Sequence, residues 1–303
     1  MSVTETKPLD PIKLPPLKNE VLPAGLYIVA TPIGNLEDIT LRAIRVLSTA
    51  DIIACEDTRV AGRLMSGLGL KKQGQFSLYN EQTGPKPRQN LLQAIEQSGQ
   101  SVALISDSGT PLISDPGYRI VHEARQKNLP VFPIPGASAV TAAISVSGLP
   151  SDSFTFYGFL PTATGDRRHT LETALSGPAT TALFYESPNR IIATLEQLTE
   201  IEPEADIVVG REITKRYETF LSGKPAEVLH DMVAKGPVKG EIVLLIHNIN
   251  NDKKLTDDEI KDKIIDALKT QSVRDAVRAV SAITDTPRSH VYELALTVKK
   301  DQK

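Results

Sequence analysis

Tryptophan is missing from the 303 residues altogether, cysteine occurs once, at Cys55, and methionine three times. A single cysteine excludes an intramolecular disulfide framework and any multi-cysteine metal site, and it points to a reducing, cytoplasmic setting. Without tryptophan, only Phe and Tyr are left to stack on a nucleobase. Long apolar runs are lacking too: stretches such as "EIVLLI" (Glu241–Ile246) are far too short to span a bilayer. The formal net charge of -3 gives no global field that draws the chain to nucleic acid, so a polyanion would need a local basic patch. Several signatures are absent as well. There is no G-x-x-x-x-G-K-[ST], no G-x-G-x-x-G after a strand and no H-E-x-x-H, and no G-x-S-x-G elbow for Ser-His-Asp hydrolysis. His122, His169, His230, His247 and His290 are scattered with no ligand spacing, which argues against a metal site.

What the chain has is 40% hydrophobic and 23% charged residues, the balance of a soluble globular protein, and enough length for two or three domains. The segment "MSVTETKPLDPIKLPPLKNEVLP" carries prolines at 8, 11, 15, 16 and 23 and no apolar core run, so 1–24 reads as a flexible extension, unlike a signal peptide or membrane anchor. From Gly25, short β-rich runs alternate with helical segments. "LYIVA" is followed by a helix over about Thr40–Leu47, with Leu41, Ile44 and Leu47 on one stripe and Asn35 or Asp38 as its cap, and then by "ADIIACED" and "SVALISD". "NLPVFPIPGASAVTAAISVSGLP" adds a strand, a turn at Pro135–Gly136 and a helix. This predicts an α/β domain over 25–149. The alternation restarts with "FTFYGFLP", "TALFYESP", "ADIVVGREI", "YETFLSG" and "GEIVLLIHN" as strands and a helix over Asn189–Leu198, predicting a second α/β domain over 150–248. A polar linker, "NINNDKK", and three short helices from Leu255 to Val298 fill 249–303. In that tail Thr286 is the expected N-cap with Pro287 at the first helical position, and Ser272 and Asp275 have capping-box spacing. The tail suits a helix-turn-helix module, but 11 Lys/Arg against 10 Asp/Glu over 251–303 lacks the basic excess of a strong nucleic-acid binder, so an accessory packing role stands beside it.

Four loops follow apolar strands and are rich in small and turn-forming residues: "ATPIGNLEDIT", "SDSGTPLISDPG", "PIPGASAVTAA" and "FYESPNR". In open α/β sheets, ligands bind beyond the carboxyl ends of strands, where Gly and Pro let backbone groups approach closely. Four such loops favour a preformed small-molecule pocket.

The longer stretches "LYIVATPIGNLEDITLRAIRVLSTADIIACEDTR", "LISDSGTPLISDPG", "PIPGASAVTAAISVSGLP" and "FYESPNRI" resemble those of the bacterial 16S rRNA cytidine 2'-O-methyltransferases, of the tetrapyrrole-methylase-like class of S-adenosylmethionine enzymes. The likeness runs from about Gly25 to Ile246, and the tail resembles the family's C-terminal helical module. The resemblance implies two α/β domains of the tetrapyrrole methylase type with a cofactor cleft between them. It implies S-adenosyl-L-methionine contacts from Pro32 and Gly34 in the first loop, Asp107, Gly109, Thr110, Leu112 and Ile113 in the second, Ser138 and Ala139 in the third, and Phe184 and Tyr185 in the fourth. It further implies a decoding-centre cytidine of 16S rRNA as target, within the assembled 30S subunit, a homodimer, and no metal. "TPIGNLED" departs from the G-x-G-x-G-D loop of the tetrapyrrole-modifying members, which favours the RNA branch over a tetrapyrrole-like small-molecule substrate. A non-catalytic RNA-binding assembly factor of the same fold is the rival from another class.

Transfer to a ribose 2'-hydroxyl needs in-line positioning and a proton acceptor or polarising cation. "CEDTR" places Glu56, Asp57 and Arg59 at a strand end, where a carboxylate such as Glu56 suits proton acceptance and Arg59 suits a bidentate phosphate contact, a local salt bridge being the equal alternative. "YESPNR" adds Glu186, Asn189 and Arg190. "GREITKRYE", with Arg211, Glu212, Lys215 and Arg216, reads as a basic edge for RNA, Lys215 being its catalytic candidate. "GDRRHTL" places Arg167 and Arg168 in an expected mobile connection.

Overall fold

The computed structural model describes residues 21–71, 74–80, 84–176, 180–247, 257–269, 271–284 and 286–301. Most of the expected N-terminal extension, and the linker at 248–254, lie outside them. Two five-stranded sheets organise the chain. The first is parallel throughout, with β1 (Gly25–Val29), β2 (Ile52–Cys55), β3 (Gln75–Leu78), β4 (Ser101–Leu104) and β5 (Val131–Ile134) in the order β3-β2-β4-β1-β5. Its inner strands are largely apolar because helices cover both faces, whereas the edge strand β3, with Gln75 and Ser77, is partly exposed. One face packs α1 (Leu41–Thr49) and α2 (Thr58–Gly67) around Val29, Val46, Leu47 and Ile53. The other packs α3 (Pro85–Ser98) and α4 (Tyr118–Gln126) around Leu26, Leu92, Leu104 and Ile120. Neighbours β1 and β4 send their crossovers in opposite directions, which opens a crevice at their carboxyl ends.

The second sheet is mixed. β6 (Phe154–Phe159) runs parallel to β7 (Thr181–Glu186), while β8 (Asp206–Arg211), β9 (Thr219–Gly223) and β10 (Ile242–His247) add antiparallel pairs in the order β6-β7-β10-β8-β9. Helices α6 (Thr164–Ser176), α7 (Ile191–Ile201) and α8 (Pro225–Ala234) cover one face. The opposite face packs on α5 (Ala139–Ser147), which follows the first sheet, through Val140, Ala143, Ile144, Leu183, Val208, Val243 and Leu245. That apolar seam fixes one sheet against the other. The helices α9 (Asp257–Leu268), α10 (Val273–Thr284) and α11 (Arg288–Asp301) close around a small core of their own, Ile260, Ile264, Val280, Val291 and Leu294.

Local details correct four expectations. Thr40, not Asn35 or Asp38, caps α1, its Oγ1 accepting from the Ala43 N–H at 3.1 Å; Asn35 instead caps a short 3-10 turn at Leu36–Asp38. The helix expected from Asn189 begins at Ile191. "GDRRHTL" is no mobile connection but part of α6: Arg167 is buried and donates to Gln197 Oε1 at 2.7 Å, and Arg168 pairs with Glu172 and Glu200. In the tail, Ser272 Oγ accepts from the Asp275 N–H and donates to its carboxylate at 2.7 Å, while α11 starts at Arg288, one residue after Pro287.

Candidate active site

The crevice at the end of β1 and β4 continues across the seam into a cleft of about 190 Å³ that is partly open to solvent. From the first half it is lined by Ile33, by Ser108, Gly109, Thr110, Ile113, Ser114 and Asp115 after β4, and by Ser138 and Ala139 at the start of α5. The second half supplies Phe159, Tyr185, Glu186, Ile213, Glu241, Ile242 and Val243. The post-β4 loop is pinned to the post-β1 loop: Thr31 and Gly109 exchange backbone hydrogen bonds at 2.8 and 3.1 Å, and Thr31 Oγ1 donates to Ser106 and Gly109 carbonyls. Thr110 Oγ1 ties the loop to the Ala137 carbonyl at 3.0 Å.

That loop is strained. Leu112 and Ser114 hold φ of 74° and 65°, a region that L side chains enter only when their surroundings enforce it. Gly109 has φ of +81°, and a Cβ there would lie 3.2 Å from Ile33 Cγ2. Gly109→Ala is therefore expected to cost about 1–2 kcal/mol of stability in urea unfolding. It should also push Ile33 toward the cleft and weaken ligand binding in calorimetry. Unchanged stability and affinity would contradict the strain at this position.

Of the sequence-selected residues, Gly109, Thr110, Ile113, Ser138, Ala139, Tyr185 and Glu186 meet in this cleft. The others lie elsewhere. Pro32 is half-buried beside Ile33, and Leu112 packs beneath the loop against Gly117. Gly34 serves as a docking point between the halves, since a Cβ on it would strike Lys215 Cγ and approach Thr214 Oγ1 to 2.8 Å. Asp107 is exposed, near Asp57 and Arg63. Phe184 is fully buried in the core on the far side of the second sheet, stacked on Tyr157 at 5.0 Å. Strand alternation, readable in the sequence, predicts that the neighbours Phe184 and Tyr185 face opposite ways. Glu241–Val243, Ile213 and Phe159 carried no loop signal. Only the antiparallel pairing of Ile242 with Glu186 and Val243 with Tyr185 brings the start of β10 beside the end of β7.

The charged candidates divide similarly. Arg59, with its side chain 83% exposed, is forked onto Asp57 at 2.6 Å, and the guanidinium holds that carboxyl well below the usual carboxylate range. Lys215 donates to Glu212 at 2.8 Å and Glu241 at 3.0 Å. Burial works against its charge, but those two partners outweigh burial and hold its ammonium protonated above the ordinary lysine range. Arg211 is spent on Thr219, Lys239 and Tyr217, so Arg216 is the exposed member of the expected basic edge, with Tyr217 exposed beside it.

A carboxylate group sits where β2 and β4 end. Glu56 is pushed up to about 7 by burial and by the like charges of Asp115 and Asp107. Asp115, the member that lines the cleft, is raised by burial and by Asp107 against a lowering hydrogen bond from Ser106. Among the described residues no group of three or more His, Cys, Asp or Glu is arranged to hold a metal ion. Tyr185 is pushed up to about 12, by burial first and then by Asp115 and Glu241, so its hydroxyl stays protonated. Because Glu56 binds its proton more tightly folded than unfolded, its contribution to stability is complete below about pH 4.5 and is lost as pH rises through 7. Glu56→Gln should therefore add about 1 kcal/mol at pH 8, after discounting for its partial exposure, and nothing at pH 4.5. Urea titrations at the two pH values check this, and equal gains at both would remove the proton from Glu56.

Residues 25–229 match the family described as Tetrapyrrole (Corrin/Porphyrin) Methylases. A ribosomal RNA small subunit methyltransferase I of Mesorhizobium japonicum is 47% identical over 226 residues, covering 74% of this chain and 76% of its own. One of Vibrio cholerae is 39% identical over 286 residues, 92% of this chain and 97% of its own. Among solved structures, the methyltransferase CobJ superposes with a TM-score of 0.56 at 18% identity, over 75% of this chain and 95% of that one. The cobalt precorrin-4 methyltransferase CbiF does so with a TM-score of 0.52 at 15% identity, over 73% and 93%. Those two likenesses concern the fold.

Proposed function

The chain belongs to the tetrapyrrole methylase family and, within it, to the ribosomal RNA small subunit methyltransferase I group, and from that premise we propose that it methylates the ribose 2'-hydroxyl of a decoding-centre cytidine in 16S rRNA. The observation that carries this reading is the extent of the likeness. Relatives bearing that name match into the helical tail, where the broader family match has already ended at residue 229.

The cleft suits S-adenosylmethionine in its chemistry. Ile213, Ile242 and Val243 offer an apolar wall to adenine, Ser108, Thr110 and Ser138 offer hydroxyls to the amino-acid end, and Asp115 and Glu241 offer negative charge to a sulfonium. When bound, the donor supplies an electrophilic methyl group. Asp115 accepts the 2'-hydroxyl proton as the ribose oxygen attacks, and its burial, which raises its basicity above that of an ordinary Asp, suits it to that task. Glu56 stands behind Asp115 as a buffer of the same cluster. Lys215, locked between Glu212 and Glu241, is a positioning residue that holds the post-β8 segment against Gly34. Arg216 and Tyr217 are the RNA-facing groups of that edge.

The assembled 30S subunit as substrate, a homodimer and a cytoplasmic location complete the reading; no described helix is long and apolar enough to cross a membrane. The test is incubation of the purified protein with labelled S-adenosylmethionine and 30S subunits lacking the modification, with mass spectrometry of the digested nucleosides. The expected product is 2'-O-methylcytidine, and unlabelled RNA would overturn the assignment. Light scattering tests the dimer.

A further inference from the structure

Strand β6 contains an irregularity at the mouth of the cleft. Phe156 pairs with Leu183 and Phe159 with Tyr185, so three steps along β6 match two along β7: one extra residue, a β-bulge, lies between. In a regular strand, Phe156 and residue 158 would share a face and Phe159 would point to the other. The bulge reverses this. Both Phe156 and Phe159 meet Tyr185 edge-on, with ring centroids 4.8 and 5.2 Å away. Gly158 makes the bulge with φ of +75°, and a Cβ there would lie 3.3 Å from Ser114 Oγ, so the kink rests against the strained loop that lines the cleft. The result is an aromatic cluster whose outer member, Phe159, lines the cleft yet remains 61% exposed.

A large apolar ring left this open, on a bulge that aims it into a site, calls for a flat partner arriving from solvent. The deeper apolar wall of Ile213, Ile242 and Val243 is nearly inaccessible and offers a donor's adenine a buried place. Phe159 lies outside it, on the approach side. A methyl acceptor within folded RNA reaches such a cleft only if its nucleotide leaves the stack, and an unstacked base is held by an aromatic face. Since the base is joined to the ribose carbon next to the one bearing the 2'-hydroxyl, fixing the base also fixes the attacking oxygen.

We propose that Phe159, braced by Tyr185 and Phe156, is the stacking platform for the extruded base of the acceptor nucleotide, a pyrimidine. This rests on the RNA methyltransferase reading above and adds the base-binding subsite to it.

The experiment compares wild type with Phe159→Ala, Phe159→Leu and Phe159→Tyr. It uses unmodified 30S subunits for kcat/KM, S-adenosylmethionine calorimetry for donor affinity, and analytical ultracentrifugation for self-association. Phe159→Ala is expected to lower kcat/KM by about 10- to 100-fold, in line with the roughly 1–3 kcal/mol of a base–aromatic stack. Donor affinity should stay within about twofold. Phe159→Tyr should restore activity and Phe159→Leu should not, because leucine replaces the apolar bulk but not the π-face. Equal rescue by Leu, a parallel loss of donor affinity, or dissociation of a dimer in Phe159→Ala would each overturn the proposal, assigning the ring to packing, to adenine or to a second copy of the chain. If the wild-type protein leaves RNA unmethylated, the function reading and this subsite fall together; if wild type is active and all three variants match it, only the subsite falls.

Discussion

Asp115→Asn is expected to lower the rate of methyl transfer to unmodified 30S subunits by on the order of 10²–10⁴-fold, the usual contribution of a positioned general base. Asp115 is the member of the strand-end carboxylate group that reaches the cleft wall, and the amide has nearly its shape but no capacity to take a proton. Donor affinity should change far less than the rate, because the residue assists the reacting hydroxyl more than the bound donor. A base works only when deprotonated. Asp115 is raised above the ordinary Asp value, so the wild-type rate should climb with pH and level off once the cluster, including Glu56 at about 7, has lost its protons. Stopped-time assays from pH 5 to 8.5 give the profile. A wild-type rate in Asp115→Asn would remove the residue from the chemistry, and a flat profile would show that no carboxylate of this cluster gates the reaction.

Glu186→Ala is expected to destabilise the protein by about 3–5 kcal/mol, the range for removing one member of a buried ion pair. Glu186 closes β7 and is only 2% exposed. One oxygen accepts from the Ser187 N–H at 2.6 Å and from Arg190 Nη2 at 2.6 Å, and the other accepts from Thr194 Oγ1 at 2.8 Å. With three donors converging on it, the carboxylate knots the "ESPNR" turn to the first turns of α7. Deleting it strands a guanidinium whose Nη1 is already buried without a partner. Glu186→Gln, which keeps the shape and one acceptor, should lose less. Urea unfolding monitored by circular dichroism measures both, and a midpoint unchanged in the alanine variant would refute the network's role. Because Glu186 also lines the cleft, methyl transfer should fall with it.

Several features were legible before any coordinates. Alternation of apolar runs with helical periods located four strands of the first sheet and all five of the second, since a strand buried on both faces must be apolar throughout; β3, an edge strand with Gln75 and Ser77 and both of its ends exposed, gave no such run. The small-residue loops after β1, β4, β5 and β7 were legible as ligand-facing because strand ends are where backbone can approach a ligand. Phe184 and Tyr185 show the limit of that reading. A motif marks a segment, while the pleat decides which of two neighbours looks into the cleft. Charge was the least legible property. Lys215, Arg167 and Arg168 look like free cations along the chain, but each finds a partner in the fold: the Glu212–Glu241 pair, Gln197, and the carboxylates of Glu172 and Glu200; for Arg59 the local salt bridge to Asp57 was one of two readings the sequence left equal, and it is the one formed. Spacing in sequence says nothing about a partner 26 or 32 residues away.

The sequence by itself determined nine of the ten described strands, the loops that border the cleft and the family, because each depends on patterns within a short window of chain. Tertiary structure alone decided which side chains form the site. Antiparallel pairing carries Glu241, Ile242 and Val243 to the end of β7, the bulge at Gly158 turns Phe159 inward, and burial among like charges sets Glu56 and Asp115 apart from ordinary carboxylates. Register, face and dielectric environment arise only when distant segments meet.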